Sequence, residues 1–595
     1  MRRAGRGELE SAAVVGLAVL ASLICYVAGW RGTDWAAQLY RTSEVSRFGL
    51  VVWDPGWYGG TFPLNYSLLL PLVGAYIGLW PLAVASAGAA SLCFHRLLRP
   101  FAPARRHAFA VSLYFAATTL VPLAIGQLPS LLGEAFALAC LLCLSKAANP
   151  APGPRVRGRG QRKGARALLL AGGGALGLAA ALSAPLAGAF LALSLCAWAL
   201  GSCRTARDIW RPEAGAVAKV VTAIAVLLAS AALPVVFYAP GSFPSQSGDL
   251  AVLLAICAFC AAPWASRPVR AGAAFYAATS IVLFAVPNQV GDNDIRFGAY
   301  IGVPVVLYYL PSARSWLATR LGRRAGPGWA TAGAAAVAAA GLALWSWAPL
   351  AETFSGAADG RSSVAAFYQP LIKELTSLSG GGPVRVEVTP TAHHWESAYL
   401  AGEFPLARGW ERQLDRAYDQ LFYGRRPLSP GAYRSWLDEN AVSYVALPKA
   451  PLDFAATQEA SLLRSRAVPG LRLVWSTPDW SVWEVLDASP LASGPATLTS
   501  LRPGSVTLHF ALRGASVVKV RWSPKWSLPP AVTRWVCLSP AAGGWTEVTS
   551  KAQGVVELTI SVLAPRHGDC TSASLRVARP PSAGALGLRF EKNGR

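Results

Sequence analysis

Long apolar runs alternate with short polar or basic segments over the first 350 residues of the chain. About eleven of these runs are long enough, at 1.5 Å rise per helical residue, to cross a hydrocarbon core of roughly 30 Å. They fall near residues 11–30, 82–98, 108–124, 129–146, 167–184, 186–202, 216–238, 250–266, 271–287, 297–312 and 328–349. The pattern therefore predicts a polytopic α-helical membrane domain over residues 1–350.

One further apolar stretch, residues 66–80, does not fit this series. A crossing at this point would reverse the side of every later loop. Pro63, Pro71 and Pro81 bracket or interrupt the stretch, and proline inside a helix removes a backbone hydrogen bond. We therefore interpret residues 66–80 as a surface or re-entrant helix.

The composition agrees with a membrane protein, since 53% of the 595 residues are hydrophobic and only 14% are charged. A net charge of +23 is also found in nucleic-acid-binding proteins, but here the basic residues are clustered between the apolar runs. Such clusters are typical of cytoplasmic loops, and Arg2, Arg3 and Arg6 precede the first run. We expect a multi-pass protein of the bacterial plasma membrane, with a cytoplasmic amino terminus, residues 351–595 outside, and no nucleic-acid partner.

From about residue 351 the chain becomes more polar, and short alternating segments appear between proline, glycine and serine residues. Residues 351–490 mix helical and strand patterns, which predicts an exoplasmic α/β domain. Residues 491–595 predict a second, β-sandwich-like domain. Cys537 and Cys570 lie in this part, where an oxidising exterior favours a disulfide, whereas the other eight cysteines lie in or beside apolar runs and are expected to be packing residues.

The segment behind the first apolar run, residues 31–66, carries the densest set of reactive side chains and is interpreted as a loop. Asp34 is placed at the membrane surface, where it is either a catalytic carboxylate or the cap of a helix. Asp54 stands in an Asp-Pro-Gly sequence, so it is either a second catalytic candidate or the organiser of a turn. Arg41 is a candidate substrate-binding residue.

Aromatic and charged residues supply further binding candidates. Trp57 and Tyr58 could stack on a sugar or belong to the interfacial aromatic belt. Arg296 opens an apolar run close to the interface, where a guanidinium can bind a lipid phosphate. Asp294 could hold a divalent cation or pair with Arg296, or simply keep a short loop soluble. Glu134 is a carboxylate inside an apolar run, which is costly enough to make it a further candidate.

The stretch His393–Tyr423 is rich in His, Trp, Glu, Arg and Tyr, a composition suited to carbohydrate binding. Two adjacent histidines, His393 and His394, cannot lie on one face of a helix, and no third ligand is evident. They are therefore expected to be surface or structural residues, with a metal site as the other reading.

The chain resembles the GT-C superfamily of glycosyltransferases in four features taken together. These are an acidic residue just past the first helix, the aromatic W-Y-G-G sequence Trp57–Gly60 with a proline-rich entry to the next helix, many crossings, and an exoplasmic carboxy-terminal part. These enzymes use polyprenyl-phosphate sugars, and the likeness is to bacterial, in particular actinobacterial, multi-spanning proteins. The resemblance implies that Asp34 is the catalytic acid of the first loop and that Arg296 binds the lipid phosphate. Trp35 follows Asp34 where many members have a second acid, so a Mg or Mn cofactor is left open.

The expected function is that of an inverting glycosyltransferase that moves a sugar from a polyprenyl-phosphate donor to a cell-envelope glycan or glycolipid on the outer face, in cell wall biogenesis. Two other classes stay open, a lipid or glycan transporter or flippase and a non-catalytic scaffold for envelope assembly. A transporter has little use for a large outer domain, and the chain shows no evident inverted repeat. Asp34 separates the classes, because a transferase requires it and a scaffold does not.

Overall fold

The computed structural model describes residues 2–99, 105–148, 159–203, 213–321, 328–355, 360–424 and 426–570. The amino-terminal part is helical and the carboxy-terminal part contains the sheets. In chain order the helices of the first part are α1 (Arg2–Val27), α2 (Trp35–Phe48), α3 (Leu69–Ile77), α4 (Leu79–Leu98), α5 (Arg105–Thr118), α6 (Leu120–Ile125), α7 (Leu128–Ala148), α8 (Arg159–Ser183), α9 (Pro185–Ser202), α10 (Ala214–Val236), α11 (Ser247–Ala261), α12 (Arg267–Ala285), α13 (Ile295–Phe297), α14 (Val303–Leu321) and α15 (Gly328–Ser355).

Eight helical segments in the described ranges are long and apolar enough to span a membrane, which makes the chain a multi-pass membrane protein. They lie in α1, α4, α5 with α6, α7, α8, α9, α10 and α12. Helix α11 and residues Ala335–Ala351 of α15 are apolar but shorter. Residues predicted as the tenth crossing form α13, a π-helical turn at Gly298–Gly302 and α14. The number eleven thus remains a prediction.

The segment predicted as a loop at residues 31–66 contains the 14-residue helix α2. That interpretation was wrong because α2 buries polar as well as apolar residues, so no amphipathic stripe marks it in the sequence: Gln38, Arg41 and Glu44 are buried beside Trp35 and Tyr40. Helix α3 has nine residues, about 13 Å of helix at 1.5 Å per residue, which is too short to cross a bilayer.

The carboxy-terminal region packs on the end of the helical part where α1 ends. Trp410 Nε1 donates a hydrogen bond to the Thr33 carbonyl at 2.8 Å, and a His393 ring nitrogen lies 2.9 Å from the Thr353 carbonyl. Here too Asp34 N donates to the Ile125 carbonyl at 2.9 Å, which places the end of α6 beside the start of α2. This end of the helical part is called the site end below.

The first half of the carboxy-terminal region is a four-stranded mixed sheet with helices around it. Strand order is β1-β2-β4-β3, with β1 parallel to β2 and the other pairs antiparallel. The strands are β1 (Arg385–Val388), β2 (Val442–Pro448), β3 (Leu471–Ser476) and β4 (Trp480–Val485), and the helices are α16 (Ala365–Leu378), α17 (Glu396–Tyr399), α18 (Arg412–Tyr418), α19 (Pro430–Glu439) and α20 (Thr457–Ser465). Between β1 and β2 the chain leaves the sheet and runs over the site end, which brings α17 and α18 to the membrane helices.

The second half consists of two antiparallel four-stranded sheets, ordered β10-β11-β8-β5 and β6-β7-β12-β9. The strands are β5 (Ala492–Ser493), β6 (Ala496–Arg502), β7 (Ser505–Phe510), β8 (Gly514–Arg521), β9 (Trp526–Ser527), β10 (Val536–Pro540), β11 (Trp545–Ser550) and β12 (Gly554–Ile560). Alternate residues of β8 are buried, as expected where each sheet presents one face to a shared core. Trp53, from the segment after α2, enters this core and lies 4.7 Å from Trp526 between ring centres.

Cys537 of β10 and Cys570, the last described residue, form a disulfide with a Cα separation of 5.3 Å. The remaining cysteines of the described ranges are free, as the packing interpretation expects. Cys140 and Cys257 are buried between helices. The proposed domain boundaries at residues 350 and 490 stay a prediction, although β5 begins at Ala492.

Candidate functional site

Asp34 stands at the amino end of α2, but its side chain does not cap that helix. The carboxylate instead accepts a hydrogen bond from the neighbouring Thr33 hydroxyl at 3.2 Å. The backbone here is pressed against the turn after α6, where Gly126 has a φ of +99° and a Cβ would come within 2.3 Å of Trp35 N. Asp34 was expected to be either a catalytic carboxylate or the cap of a helix. The structure shows no capping hydrogen bond from its side chain.

Arg296, 262 residues further along the chain, is the strongest cationic influence on Asp34. Burial raises the pKa of Asp34, and the charge of Arg296 opposes that rise, followed by the Thr33 hydrogen bond and the charges of Arg41 and His394. Arg296 also donates to Ser130 Oγ at 3.0 Å and is hydrogen-bonded to Tyr66. The residue proposed as base and the residue proposed as phosphate ligand thus lie in one electrostatic cluster.

Tyr66 joins the two sides of this cluster. Burial raises the pKa of its phenol, and the charge of Asp34 raises it further, while Arg296 and Arg41 act in the opposite direction. The Arg41 guanidinium lies 4.7 Å from the centre of the Tyr66 ring. Tyr66 therefore stays a neutral hydrogen-bonding group at ordinary pH. The sequence analysis placed it only at the border of an apolar stretch and missed it.

Arg41 is buried at 3% exposure and is held by the carboxy-terminal region. Its Nη2 donates to Glu411 Oε1 at 2.6 Å, and its guanidinium also faces the rings of Trp57 and Trp410. Its Nε and Nη1 atoms have no hydrogen-bond partner in the described part of the chain. A buried guanidinium with two nitrogens free to donate is suited to binding an oxygen-rich substrate group.

Glu411 is the second carboxylate of the site, and it comes from the carboxy-terminal region. Burial raises its pKa, while the charge and hydrogen bond of Arg41 oppose that rise. The sequence signal for it was the stretch His393–Tyr423, whose composition suggested carbohydrate binding without selecting a residue. Only the fold shows that this stretch lies over residues 31–41.

Ion pairs fix the segment that carries Glu411. Arg408 Nε and Nη2 bind the two oxygens of Asp415 at 2.9 and 2.7 Å, and Arg412 binds both oxygens of Asp453 in the same bidentate way at 2.9 and 2.6 Å. Planar guanidinium–carboxylate pairs of this kind restrict orientation as well as distance. Glu411 is therefore presented to the site by a rigid segment.

His394 belongs to the same network and occupies the left-handed region, with a φ of +54°. Its ring nitrogens lie 3.3 Å from Glu396 and 3.5 Å from Asp453. Burial disfavours the imidazolium, but the hydrogen bonds and charges of these two carboxylates outweigh burial and raise the pKa of His394 to about 9. A structural role was the expected one, and the contacts are of that kind.

A cavity of about 350 Å³ opens beside this cluster, between the membrane helices and the carboxy-terminal region. Its lining combines polar residues of the site end with apolar residues of α9 and α10: Asn65, Tyr66, Pro129, Ser130, Ala184, Pro185, Leu186, Ala189, Leu227, Ser230, Ala231, Pro234, Ala239, Pro240, Gln289, Val290, Asn293, Arg296, Glu411, Gln413 and Leu414. We name it the interfacial cavity. Its lining includes a cation, a carboxylate and a phenol as well as hydrocarbon side chains.

A smaller cavity of about 110 Å³ continues from it into the helical part and shares Ser130, Leu186 and Arg296 with it. The lining of this second cavity is largely apolar, and Glu134 contributes one of its few polar side chains. The carboxylate of Glu134 keeps one buried oxygen, Oε1, without a hydrogen-bond partner in the described ranges. The two cavities together lead from the polar cluster toward the membrane interior.

Asp54 lies away from this cavity and makes the contacts of a turn. Its Oδ1 accepts from the Gly56 amide and from the Tyr40 hydroxyl, each at 2.8 Å, and Asp54 pairs with Thr61 across the turn. Burial raises the pKa of Asp54 to about 6, against those two hydrogen bonds. Of the two roles left open for Asp54, the contacts match the organiser of a turn.

Trp57 and Tyr58 are buried and hold the first segment to the carboxy-terminal region. Trp57 Nε1 donates to the Ser397 carbonyl at 3.1 Å, and the Tyr58 hydroxyl donates to the Glu411 carbonyl at 3.0 Å. Tyr58 has a φ of +57°, a conformation that is costly for a non-glycine residue and is held here by its surroundings. Neither ring lines the interfacial cavity, and the same holds for Asp34 and Arg41, so a sugar-binding role of Trp57 and Tyr58 stays a prediction.

Asp292 and Asp294, the two carboxylates just before Arg296 in the sequence, lie beside other residues. Asp294 is buried near Ser280, and burial raises its pKa. Asp292 Oδ1 accepts from the Gln246 amide at 2.7 Å. Within the described ranges no group of three or more His, Cys, Asp or Glu side chains is arranged to hold a metal ion. A divalent cation therefore stays a prediction without assigned ligands.

Comparisons with known proteins give structural neighbours but no match to a family model or a curated sequence. The chain is similar to two single-particle cryo-EM structures of arabinofuranosyltransferase AftD from Mycobacteria, one of them a mutant. For the mutant the identity is 14%, the TM-score 0.49, and the match covers 93% of this chain and 60% of that one. For the other the values are 13%, 0.48, 92% and 58%, so this chain spans about 60% of the length of either.

Proposed function

We propose that this protein is a membrane glycosyltransferase that moves a sugar from a polyprenyl-phosphate donor to a cell-envelope acceptor. The observation that carries the proposal is the convergence of Asp34, Arg296 and Tyr66 beside a cavity whose lining divides into polar residues, Arg296 and Tyr66 among them, and apolar residues. A lipid-linked sugar phosphate has the same division, with a charged head and a hydrocarbon tail.

Arg296 binds the phosphate of the donor in this proposal. It lines the interfacial cavity, it donates a hydrogen bond to Ser130, and it also lines the smaller cavity that extends among the helices. Charge-assisted hydrogen bonds to phosphate are among the stronger polar interactions in proteins. The polyprenyl tail would follow the apolar lining, and the sugar would then lie toward Tyr66, Arg41 and Glu411.

The transfer is written as a single displacement. Asp34 takes the proton from the acceptor hydroxyl, whose oxygen attacks the anomeric carbon while the bond from that carbon to the phosphate oxygen breaks. The electron pair of the broken bond leaves with the polyprenyl phosphate, and Arg296 stabilises that charge. A single displacement inverts the anomeric centre.

The orientation proposed for the chain follows from the basic loops and from the donor. Polyprenyl-phosphate sugars serve transfer on the outer face, where no nucleotide-sugar pool exists, so the site end faces outward and the amino terminus is cytoplasmic. The carboxy-terminal region, which packs on the site end, is then outside. Cysteine labelling at the exposed positions Ser461 and Thr497 in spheroplasts tests this, and protection of both positions would contradict it.

The direct experiment is a transfer assay with purified protein in lipid nanodiscs, labelled polyprenyl-phosphate sugars and a panel of cell-envelope acceptors. We expect transfer by the wild type and by the surface variant Glu557→Gln, and its loss in Asp34→Asn. Facilitated movement of the labelled lipid between leaflets without transfer would instead identify a transporter. Absence of both, with normal envelope assembly in Asp34→Asn cells, would identify a scaffold.

A further inference from the structure

A second opening lies on the site end, between the segment after α10 and the segment that carries α18. It has a volume of about 570 Å³ and is lined by Gly241, Ser242, Arg416, Gln420, Tyr423 and Gly424, among others. We name it the polar cleft. Unlike the interfacial cavity, it has no lining residue from the membrane-spanning parts of the helices, and its side chains are mainly polar.

The polar cleft and the interfacial cavity are built on the same two segments. Pro240 and Gln413 line the cavity, whereas Gly241 and Ala417 line the cleft. The segments meet at Gly241, which has a φ of +98° and at which a Cβ would come within 2.2 Å of the Gln413 carbonyl oxygen. The two openings therefore adjoin each other, one on each side of this backbone contact.

The side chains of the cleft are those that bind hydroxyl-rich ligands. Arg416 and Gln420 are exposed, and Arg416 has no carboxylate within ion-pair distance in the described part of the chain. The Tyr423 ring is held in place because its hydroxyl is bound to Arg412 at 3.0 Å and to Asp415. A guanidinium, an amide and a fixed aromatic ring supply donors, an acceptor and a stacking surface for sugar rings.

We propose that the polar cleft binds the acceptor, and that this acceptor is an oligosaccharide chain rather than a single lipid-linked sugar. The inference rests on the proposed glycosyltransferase function and adds the acceptor class and its binding residues. A chain in the cleft would extend its terminal sugar past Gly241 and Gln413 toward Glu411 and Arg41. The donor enters from the lipid side and the acceptor from the aqueous side, so neither has to leave for the other to bind.

The kinetic test uses the double variant Arg416→Ala/Gln420→Ala, with Arg464→Ala as the matched control. Arg464 is an exposed arginine on α20, away from both openings. Losing two hydrogen-bonding side chains should raise the KM for an oligosaccharide acceptor about tenfold or more, since each contributes about 1 kcal/mol. The KM for the donor and kcat at saturating acceptor should stay within twofold of the wild type. An unchanged acceptor KM in the double variant would overturn the assignment.

Acceptor length gives a second kinetic readout. A monosaccharide acceptor that reaches only the reacting position should have a high KM in the wild type, and the double variant should not raise it further. Equal KM values for monosaccharide and oligosaccharide acceptors in the wild type would contradict an extended acceptor in the cleft. Thermal melting of each variant checks that the substitutions leave the fold intact.

A binding measurement separates failure of this inference from failure of the proposed function. Saturation-transfer NMR with a cell-envelope oligosaccharide on Asp34→Asn protein needs no turnover, and the signal should disappear in the triple variant that also carries Arg416→Ala and Gln420→Ala. If the wild type shows no transfer, the glycosyltransferase proposal fails whatever this measurement gives. If the wild type transfers sugar but the oligosaccharide signal survives the triple variant, only the cleft assignment is wrong.

Discussion

The Arg41 guanidinium donates a 2.6 Å hydrogen bond to the Glu411 carboxylate, which joins residues 370 positions apart. Arg41 belongs to α2, directly after the first membrane helix, and Glu411 belongs to the carboxy-terminal region. Both side chains are nearly inaccessible to solvent. The pair therefore makes the candidate site dependent on the docking of two distant parts of the chain.

Removing one member of this pair should be more harmful than removing both. Glu411→Gln leaves a buried guanidinium without its counter-charge, which typically costs about 3 to 5 kcal/mol, whereas a double apolar replacement of a buried pair is often much less costly. We expect Arg41→Met/Glu411→Leu to melt at a higher temperature than Arg41→Met or Glu411→Leu alone. Melting curves of the four proteins in one detergent measure this. Additive losses would show that the two side chains are not coupled.

Asp34→Asn should preserve folding and donor binding but remove most transfer. General-base catalysis contributes typically 10²- to 10⁴-fold, and the side chain of Asp34 makes no capping hydrogen bond whose loss would weaken α2. The measurement is kcat in the transfer assay beside binding of labelled donor. The control Glu557→Gln alters an exposed carboxylate of β12. Turnover near the wild-type value in Asp34→Asn would move the search for the base to Glu411.

Arg296→Ala should chiefly weaken donor binding, with a rise in donor KM of at least about tenfold. Arg296→Lys keeps the charge but loses the second hydrogen-bonding nitrogen, so its donor KM should fall between the wild type and Arg296→Ala. Arg464→Ala serves as the control. If Arg296→Ala lowered kcat while leaving the donor KM unchanged, Arg296 would act on the transition state alone and not in holding the donor.

The His394 cluster should make stability depend on alkaline pH. Because the folded-state pKa of His394 is about 9 and the usual value is about 6.5, the imidazolium stabilises the fold fully below pH 6.5. This stabilisation should be lost as the pH rises from about 6.5 to 9, by up to about 3 kcal/mol. His394→Gln should flatten this part of the curve of melting temperature against pH, with His509→Gln, an exposed histidine of β7, as the control. Parallel curves for His394→Gln and wild type would refute the assignment.

Loss of the Cys537–Cys570 disulfide should destabilise the sandwich without changing the site. The bridge closes a loop of 33 residues, and removal of such a cross-link typically costs about 2 to 4 kcal/mol. We expect Cys537→Ala/Cys570→Ala to melt at a lower temperature and to keep the wild-type kcat at temperatures where it is folded. Cys196→Ala, which removes a free exposed cysteine, is the control. Equal melting temperatures in oxidising and reducing buffer would show that the bridge does not contribute.

The sequence by itself determined the membrane character of the chain, most of its helices and the polar change near residue 350. These features are local: a hydrocarbon core needs long apolar runs, and strands with one buried face need alternation. Asp34 and Arg296 were also found from sequence, because charged residues next to apolar runs are costly and therefore conspicuous. Helix α2 escaped detection because it buries polar as well as apolar residues, and the burial of Arg41 is explained only by its contact with Glu411.

Only the tertiary structure decided which of the candidates share a site. It brought Asp34, Arg41, Tyr66 and Arg296 together, added Glu411, and showed which residues Asp54, Trp57 and Tyr58 contact. The physical reason is that hydrogen bonds and charges act over a few ångströms in space, whereas the residues that make them are separated by up to 370 positions in the chain. Spacing in the sequence carries no information about such contacts until the helices and the carboxy-terminal region have packed.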